Sequence, residues 1–206
     1  MNCFKVVLVT LVMLINFAIA PVVLADPPKL TTTPEYTEVT TAIADLLKAK
    51  SDPEASDLSP VDIEQKLGAL NLQKYILETA SNWSQCRNET GHTIAVYAHK
   101  AKKTPVPSTL YYLATGQTTD DDWNCDAVYL PAGAKLAGQP ELTEPIALQF
   151  VSGTQLVAKT NPTGEIEFNL PPAKTIIASA DSSLPIPTNL TLASVEATTP
   201  NAPIED

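Results

Sequence analysis

The sequence predicts an α+β fold, with N-terminal helices packed on a mostly antiparallel β-sheet or sandwich closed by one disulfide. Three observations carry this. Helical periodicity is confined to residues 34–82, period-two patterning takes over from residue 92, and Cys86 and Cys125 are the only cysteines after residue 3. Helices first and strands afterwards is the α+β order, not the alternation of an α/β sheet.

The chain has 206 residues and a formal net charge of -10. Residues 1–25 read as a signal peptide: Lys5 supplies the positive end, Val6 to Ala20 an apolar run, and Val23-Leu24-Ala25 a small-residue cleavage site. Cleavage there implies export, to a periplasm or the medium, and no stable membrane insertion afterwards. Losing Lys5 takes the formal charge from -10 to -11. So acidic a surface repels phosphate backbones and excludes nucleic acid as a natural partner.

Residues 26–33 show no apolar period and read as an extended leader. A helix is expected from Thr33, with Thr33 as cap and Pro34 in the first turn. Tyr36, Val39, Ile43, Leu46 and Leu47 share one face, and the helix should close near Lys50. Ser59-Pro60-Val61-Asp62 repeats the start signal. Ile63, Leu67 and Leu70 mark the buried face of this second helix. Asn71 is expected to cap a third piece bearing Leu72, Tyr75, Ile76 and Thr79, making a short helical hairpin before Trp83.

Strands follow. Ile94, Val96 and Ala98 alternate with Ala95, Tyr97 and His99. Further strands are expected at 109–115, 125–130, 145–151, 155–159, 164–170 and 174–179. In the sixth, Ile166, Phe168 and Leu170 point inward. Asn161-Pro162-Thr163-Gly164 predicts a hairpin turn. The stretch from 157 to 172, with Thr-Gly-Glu-Ile-Glu-Phe-Asn-Leu-Pro-Pro, resembles strand–turn–strand units of extracellular β-sandwich modules, which implies strands and no particular function. Leu190, Leu192 and Val195 are expected to add an edge strand. The single domain therefore spans 34–195, helical over 34–82 and β-rich over 92–195. Residues 196–206, rich in Thr, Pro and Ala, read as a disordered tail.

Two cysteines in an exported chain predict one bridge, Cys86–Cys125. Closing a loop of about 40 residues stabilises a fold by about 4 kcal/mol in the chain-entropy model.

Candidate chemistry is sparse. Asp120, Asp122, Asn124 and Asp126 recur at every second position, the spacing of oxygen ligands in a calcium loop. Cys125 stands where that loop needs its glycine and Pro131 where it needs its bidentate Glu. The plainer expectation is an acidic turn with its carboxylates in water and Trp123 and Cys125 in the core. The basic run His99-Lys100-Ala101-Lys102-Lys103 suits a hairpin tip, an anion site or a salt bridge to that acidic run. His92 and His99 fall on opposite strand faces and cannot share a zinc ion there. No nucleophile elbow and no glycine-rich phosphate loop occur. No cofactor is expected, calcium apart. Asn82, Asn88 and Asn189 head formal glycosylation sequons.

Tyr97, Tyr112, Trp123 and Tyr129 could form a recognition face, since aromatic side chains serve binding surfaces well. Tyr111 and Tyr112, being adjacent on a strand, must point to opposite faces. The expected function is that of an exported, non-catalytic protein binding another protein or a surface component through its β-rich part. The alternatives are a carboxylate-dependent hydrolase and a calcium-stabilised module, both drawing on residues 120–126.

Overall fold

A computed structural model describes residues 28–52, 57–101, 107–179 and 183–204. The signal-peptide stretch and Lys102 and Lys103 of the basic run lie outside these residues. No described helix is long and apolar enough to cross a membrane.

The chain enters through a short 3-10 turn, Leu30–Thr32, and Leu30 is 2% exposed. The leader expected over 26–33 thus ends in a core residue. Helix α1 (Pro34–Ser51) starts where Thr33 accepts a hydrogen bond from the Tyr36 amide and Pro34 fills the first turn. Helix α2 (Pro60–Thr79) starts the same way, with Ser59 accepting from the Asp62 amide at 3.1 Å. The expected break at Asn71 does not occur. An exposed Asn costs a helix interior only about 0.5 kcal/mol. Ile63, Leu67 and Leu77 are buried on either side of it, and Leu70 is partly buried, so side-chain packing outweighs that cost. The helical hairpin is therefore α1 with α2, and Tyr75 points outward, 63% exposed.

Among the described residues eight strands follow: β1 (Gln85–Glu89), β2 (Ile94–Lys100), β3 (Thr109–Leu113), β4 (Trp123–Leu130), β5 (Ile146–Gln149), β6 (Gln155–Thr160), β7 (Ile166–Phe168) and β8 (Lys174–Ile177). The larger sheet has the order β3-β2-β4-β5-β8 and is antiparallel throughout. The smaller has the order β1-β6-β7. Its β6–β7 pair is the hairpin expected around Asn161–Gly164, whereas β1 and β6 run parallel. A parallel pair is accommodated because residues 90–154 form a long excursion between the two strands.

Two apolar layers hold the sheets. Val96, Val128 and Leu148 of the larger sheet pack with Cys86, Leu156 and Ala158 of the smaller. The opposite face of the larger sheet buries Ala95, Tyr97, Ala127, Tyr129 and Ile176 beneath Leu184 and Val195. β2 is thus buried on both faces, so its residues do not divide into a core side and a water side. The Cys86–Cys125 disulfide joins β1 to β4, one strand from each sheet, with Cα atoms 5.8 Å apart.

The C-terminal stretch departs from expectation twice. Leu192–Ala197 is a short helix, α3, closed by a capping box between Thr191 and Ser194, not an edge strand. Residues 201–203, read from composition as disordered, are bonded to the sheet. The Asn201 and Ala202 amides donate to the Tyr112 carbonyl at 2.9 and 3.0 Å, and the Asp120 amide donates to Pro203. This covers the β3 edge, whose unpaired backbone groups would otherwise face solvent.

Gly153 ties the helical hairpin to the sheets. Its φ is +86°, and a Cβ there would lie within 2.8 Å of Leu30 and closer still to Ala80. Around it Leu30, Val39, Leu77 and Val151 form a small third core.

Candidate functional site

The site is built on an irregularity in β4. Pairing with β2 runs Tyr97 with Ala127 and then Ala98 with Cys125, so the register skips Asp126. An extra residue of this kind bends a strand and re-aims its side chain. Cys125 and Val128 consequently share one core face, and Asp126 points out of the ladder toward the helices.

Four groups converge on the Asp126 carboxylate or its charge. His99 Nδ1 lies 2.7 Å from Oδ2, and Ser108 donates its hydroxyl to the same oxygen at 2.6 Å. Asn124 donates its amide to Oδ1 at 2.7 Å. Glu35, from the first turn of α1, is the fourth: the Ser152 amide donates to both its oxygens at 3.3 Å. Burial pushes the Glu35 carboxyl above its ordinary value. The Ser152 bond opposes this, and the charges of Asp126 and Glu38 add to it. The hydrogen bond to Asp126 raises His99, with burial acting against it.

Glu35 and Asp126 face one cleft of about 460 Å³ between α1, α2 and the larger sheet. Glu38 and Lys174 add charge to its walls, and Val39, Leu70 and Phe150 add apolar surface. The cleft opens into a second groove of about 460 Å³ along the hairpin, past Ala42, Leu46, Ala69 and Ala173.

Several sequence expectations change. Of Asp120, Asp122, Asn124 and Asp126, the candidate calcium ligands, three have side chains bonded within the protein. Asp120 accepts from the Asp122 amide, Asn124 is 3% exposed and accepts from the Ser84 amide, and Asp126 is engaged as above. Among the described residues no three His, Cys, Asp or Glu side chains are grouped to hold a metal. Nor do the aromatics make a recognition face. Tyr97 is fully buried and Tyr129 is 1% exposed, their hydroxyls donating to the carbonyls of Pro185 and Pro187. Only Tyr112 and Trp123 of that set retain partial exposure, and Trp123 packs edge-on against Tyr111 with ring centroids 5.5 Å apart. Tyr111 and Tyr112 do take opposite faces, one against each core layer.

The basic and acidic runs meet where His99 pairs with Asp126 and where the Ala101 amide donates to the Asp122 carbonyl. His92 lines a separate cleft of about 240 Å³ beside Lys135 and Glu196. Ser, His and Asp are all present at Asp126 but not as a nucleophilic triad. Ser108 donates its hydroxyl to the acid at 2.6 Å and makes only a longer 3.5 Å contact with the same His99 nitrogen that faces Asp126. Glu35, Glu38, Ser108 and Ser152 carried no signal in the sequence; Glu35 reads there only as a favourable acid in a first helical turn.

Asn88 is fully buried, which removes it as an acceptor of glycan in the folded protein, while Asn82 and Asn189 are exposed. Comparison with protein-family models, with curated proteins and with solved structures finds no match for this chain. The class that fold and site define is an α+β protein of two disulfide-joined sheets, with an acidic cleft beneath a helical hairpin.

Proposed function

We propose that the protein is an exported, non-catalytic binding protein, and that it takes another protein or a surface component into the cleft between the helical hairpin and the larger sheet. One observation carries this reading. Charged groups from separate elements, Glu35 and Glu38 on α1, Asp126 in β4 and Lys174 in β8, face the same partly apolar space. Recognition sites combine apolar lining with a few placed polar groups in this way. With Tyr97 and Tyr129 buried, this reading puts the binding surface at the cleft and not on the aromatic face of the sheet.

The test is capture from the producing organism's exported fraction with the mature, disulfide-intact protein and with Ala42→Trp, which fills the groove. A stoichiometric partner held by the first and lost by the second, at equal melting temperatures, supports the reading. A partner held equally by both sinks it.

A second reading, a carboxylate-dependent hydrolase, is favoured by one feature. A carboxyl group whose protonated form burial stabilises, Glu35, shares a cleft with the anionic partner of His99, an arrangement that separates acid from base. Turnover of any glycan or ester in a substrate panel, lost in Glu35→Gln, would establish it.

A further inference from the structure

We infer that the cleft's occupant is an extended segment of a partner protein that adds to the edge of β8 and turns a lysine or arginine side chain into the mouth of the cleft, toward Glu38 on α1; this rests on the binding reading above.

Charge comes first. Glu35 and Glu38 face the cleft with Asp126, whose own carboxylate is already held by His99, against the one ammonium of its lining, that of Lys174. Among the described residues neither Glu35 nor Glu38 forms a salt bridge. The net acidity of the whole chain, with a pI near 4.6, favours encounter with cationic partners in general. The apolar wall selects the form of the cation. Lys and Arg carry a charged head on a hydrocarbon stem, which can lie along Val39, Leu70 and Phe150 while the head meets the carboxylates.

The backbone supplies the second half. β8 ends the larger sheet, and among the described residues no strand pairs with its other side, whereas the opposite edge at β3 is covered by residues 201–202. β8 starts at the cleft, since Ala173 and Lys174 line it, and ends at Ile177, which is 52% exposed. An extended chain laid on this edge gains main-chain hydrogen bonds and runs past the cleft mouth at Ala173 and Lys174.

The probe is a set of immobilised decapeptide libraries, randomised except for a central residue held as Lys, Arg, Gln or Glu. The mature protein should bind the Lys and Arg libraries at least tenfold more strongly than the Gln library, and the Glu library least. Glu38→Gln should reduce that preference, and 0.5 M salt should largely abolish it. Amide exchange across 174–177 should slow when a selected peptide binds. Equal binding to the Gln and Lys libraries, or unchanged exchange at β8, overturns the inference. A captured partner that needs an open cleft yet ignores Glu38→Gln and salt would overturn this inference while leaving the binding reading standing. Binding that Ala42→Trp leaves intact would remove both.

Discussion

His99 Nδ1 lies 2.7 Å from Oδ2 of Asp126, the residue that the β2 register skips, so the bulge in β4 and the ion pair are one feature. Their side chains are 22% and 16% exposed, shielded enough for the pair to stabilise the fold by about 1–2 kcal/mol when charged. His99 is held above its ordinary value by Asp126. A raised histidine contributes stability that is fully present below its unfolded value of about 6.5 and is lost as pH rises through the folded value. His99→Gln should therefore cost most near pH 5.5 and little near pH 9. Urea titrations at the two pH values measure this, and an equal cost at both would remove the ion pair from the account.

Glu35 has the opposite consequence for its own charge. Burial raises a carboxyl by disfavouring its ionised form. Stability is then greatest with the group protonated and falls as pH rises from the unfolded value of about 4.3 through the folded one. Glu35→Gln keeps an acceptor for the Ser152 amide and carries no charge. It should raise the melting temperature at pH 7, with the gain shrinking toward pH 4. A variant less stable than wild type at pH 7 would mean that the Ser152 bond outweighs the burial of charge.

Gly153→Ala should be among the costliest single methyl additions in the chain. The new Cβ meets Ala80 and Leu30, and the φ of +86° is one that L side chains rarely adopt. A loss of about 3 kcal/mol is expected. Trp83 lies partly buried at this junction, so its fluorescence should shift if the hairpin separates from the sheets. Normal stability and an unchanged spectrum would show that the junction tolerates spreading.

Asn88 is a buried hub. Its amide donates to the carbonyls of His92 and Leu113, both at 2.8 Å, and its oxygen accepts from the Thr90 amide and hydroxyl. Asn88→Ala strips partners from these groups and should cost about 3 kcal/mol. Chemical denaturation gives the number, and a cost below 1 kcal/mol would mean that water replaces the lost bonds.

The disulfide joins the sheets across 39 positions of sequence. The double variant Cys86→Ala, Cys125→Ala should lose about 4 kcal/mol, mostly through the freed unfolded chain. Thiol titration of the unreduced mature protein should find neither cysteine free. Two reactive thiols would dissolve this element of the fold.

The local elements were legible because their causes are local. Thr33-Pro34 and Ser59-Pro60 start helices by satisfying nearby amides, Asn161–Gly164 turns a hairpin, and alternation from Ile166 marks β7. β1 was not legible: its buried positions include Gln85 and Asn88, polar residues whose bonding partners lie far along the chain. The Thr191 capping box could have corrected the C-terminal strand to a helix, since its partner Ser194 is only three residues away.

The sequence by itself determined the class, the placing of helices before strands, and the pairing of Cys86 with Cys125. Those follow from periodicity, capping and counting. The tertiary structure alone decided which faces are inside and which carboxylates share a cleft. Tyr97 and Tyr129 read as surface aromatics until residues 184–195 cover the second face of the sheet. Asp126 read as one of four equivalent oxygen ligands until a single skipped register position turned it toward Glu35, which is 91 positions earlier in the chain. Burial and charge proximity depend on what packs against a residue, and no local window of sequence contains that partner.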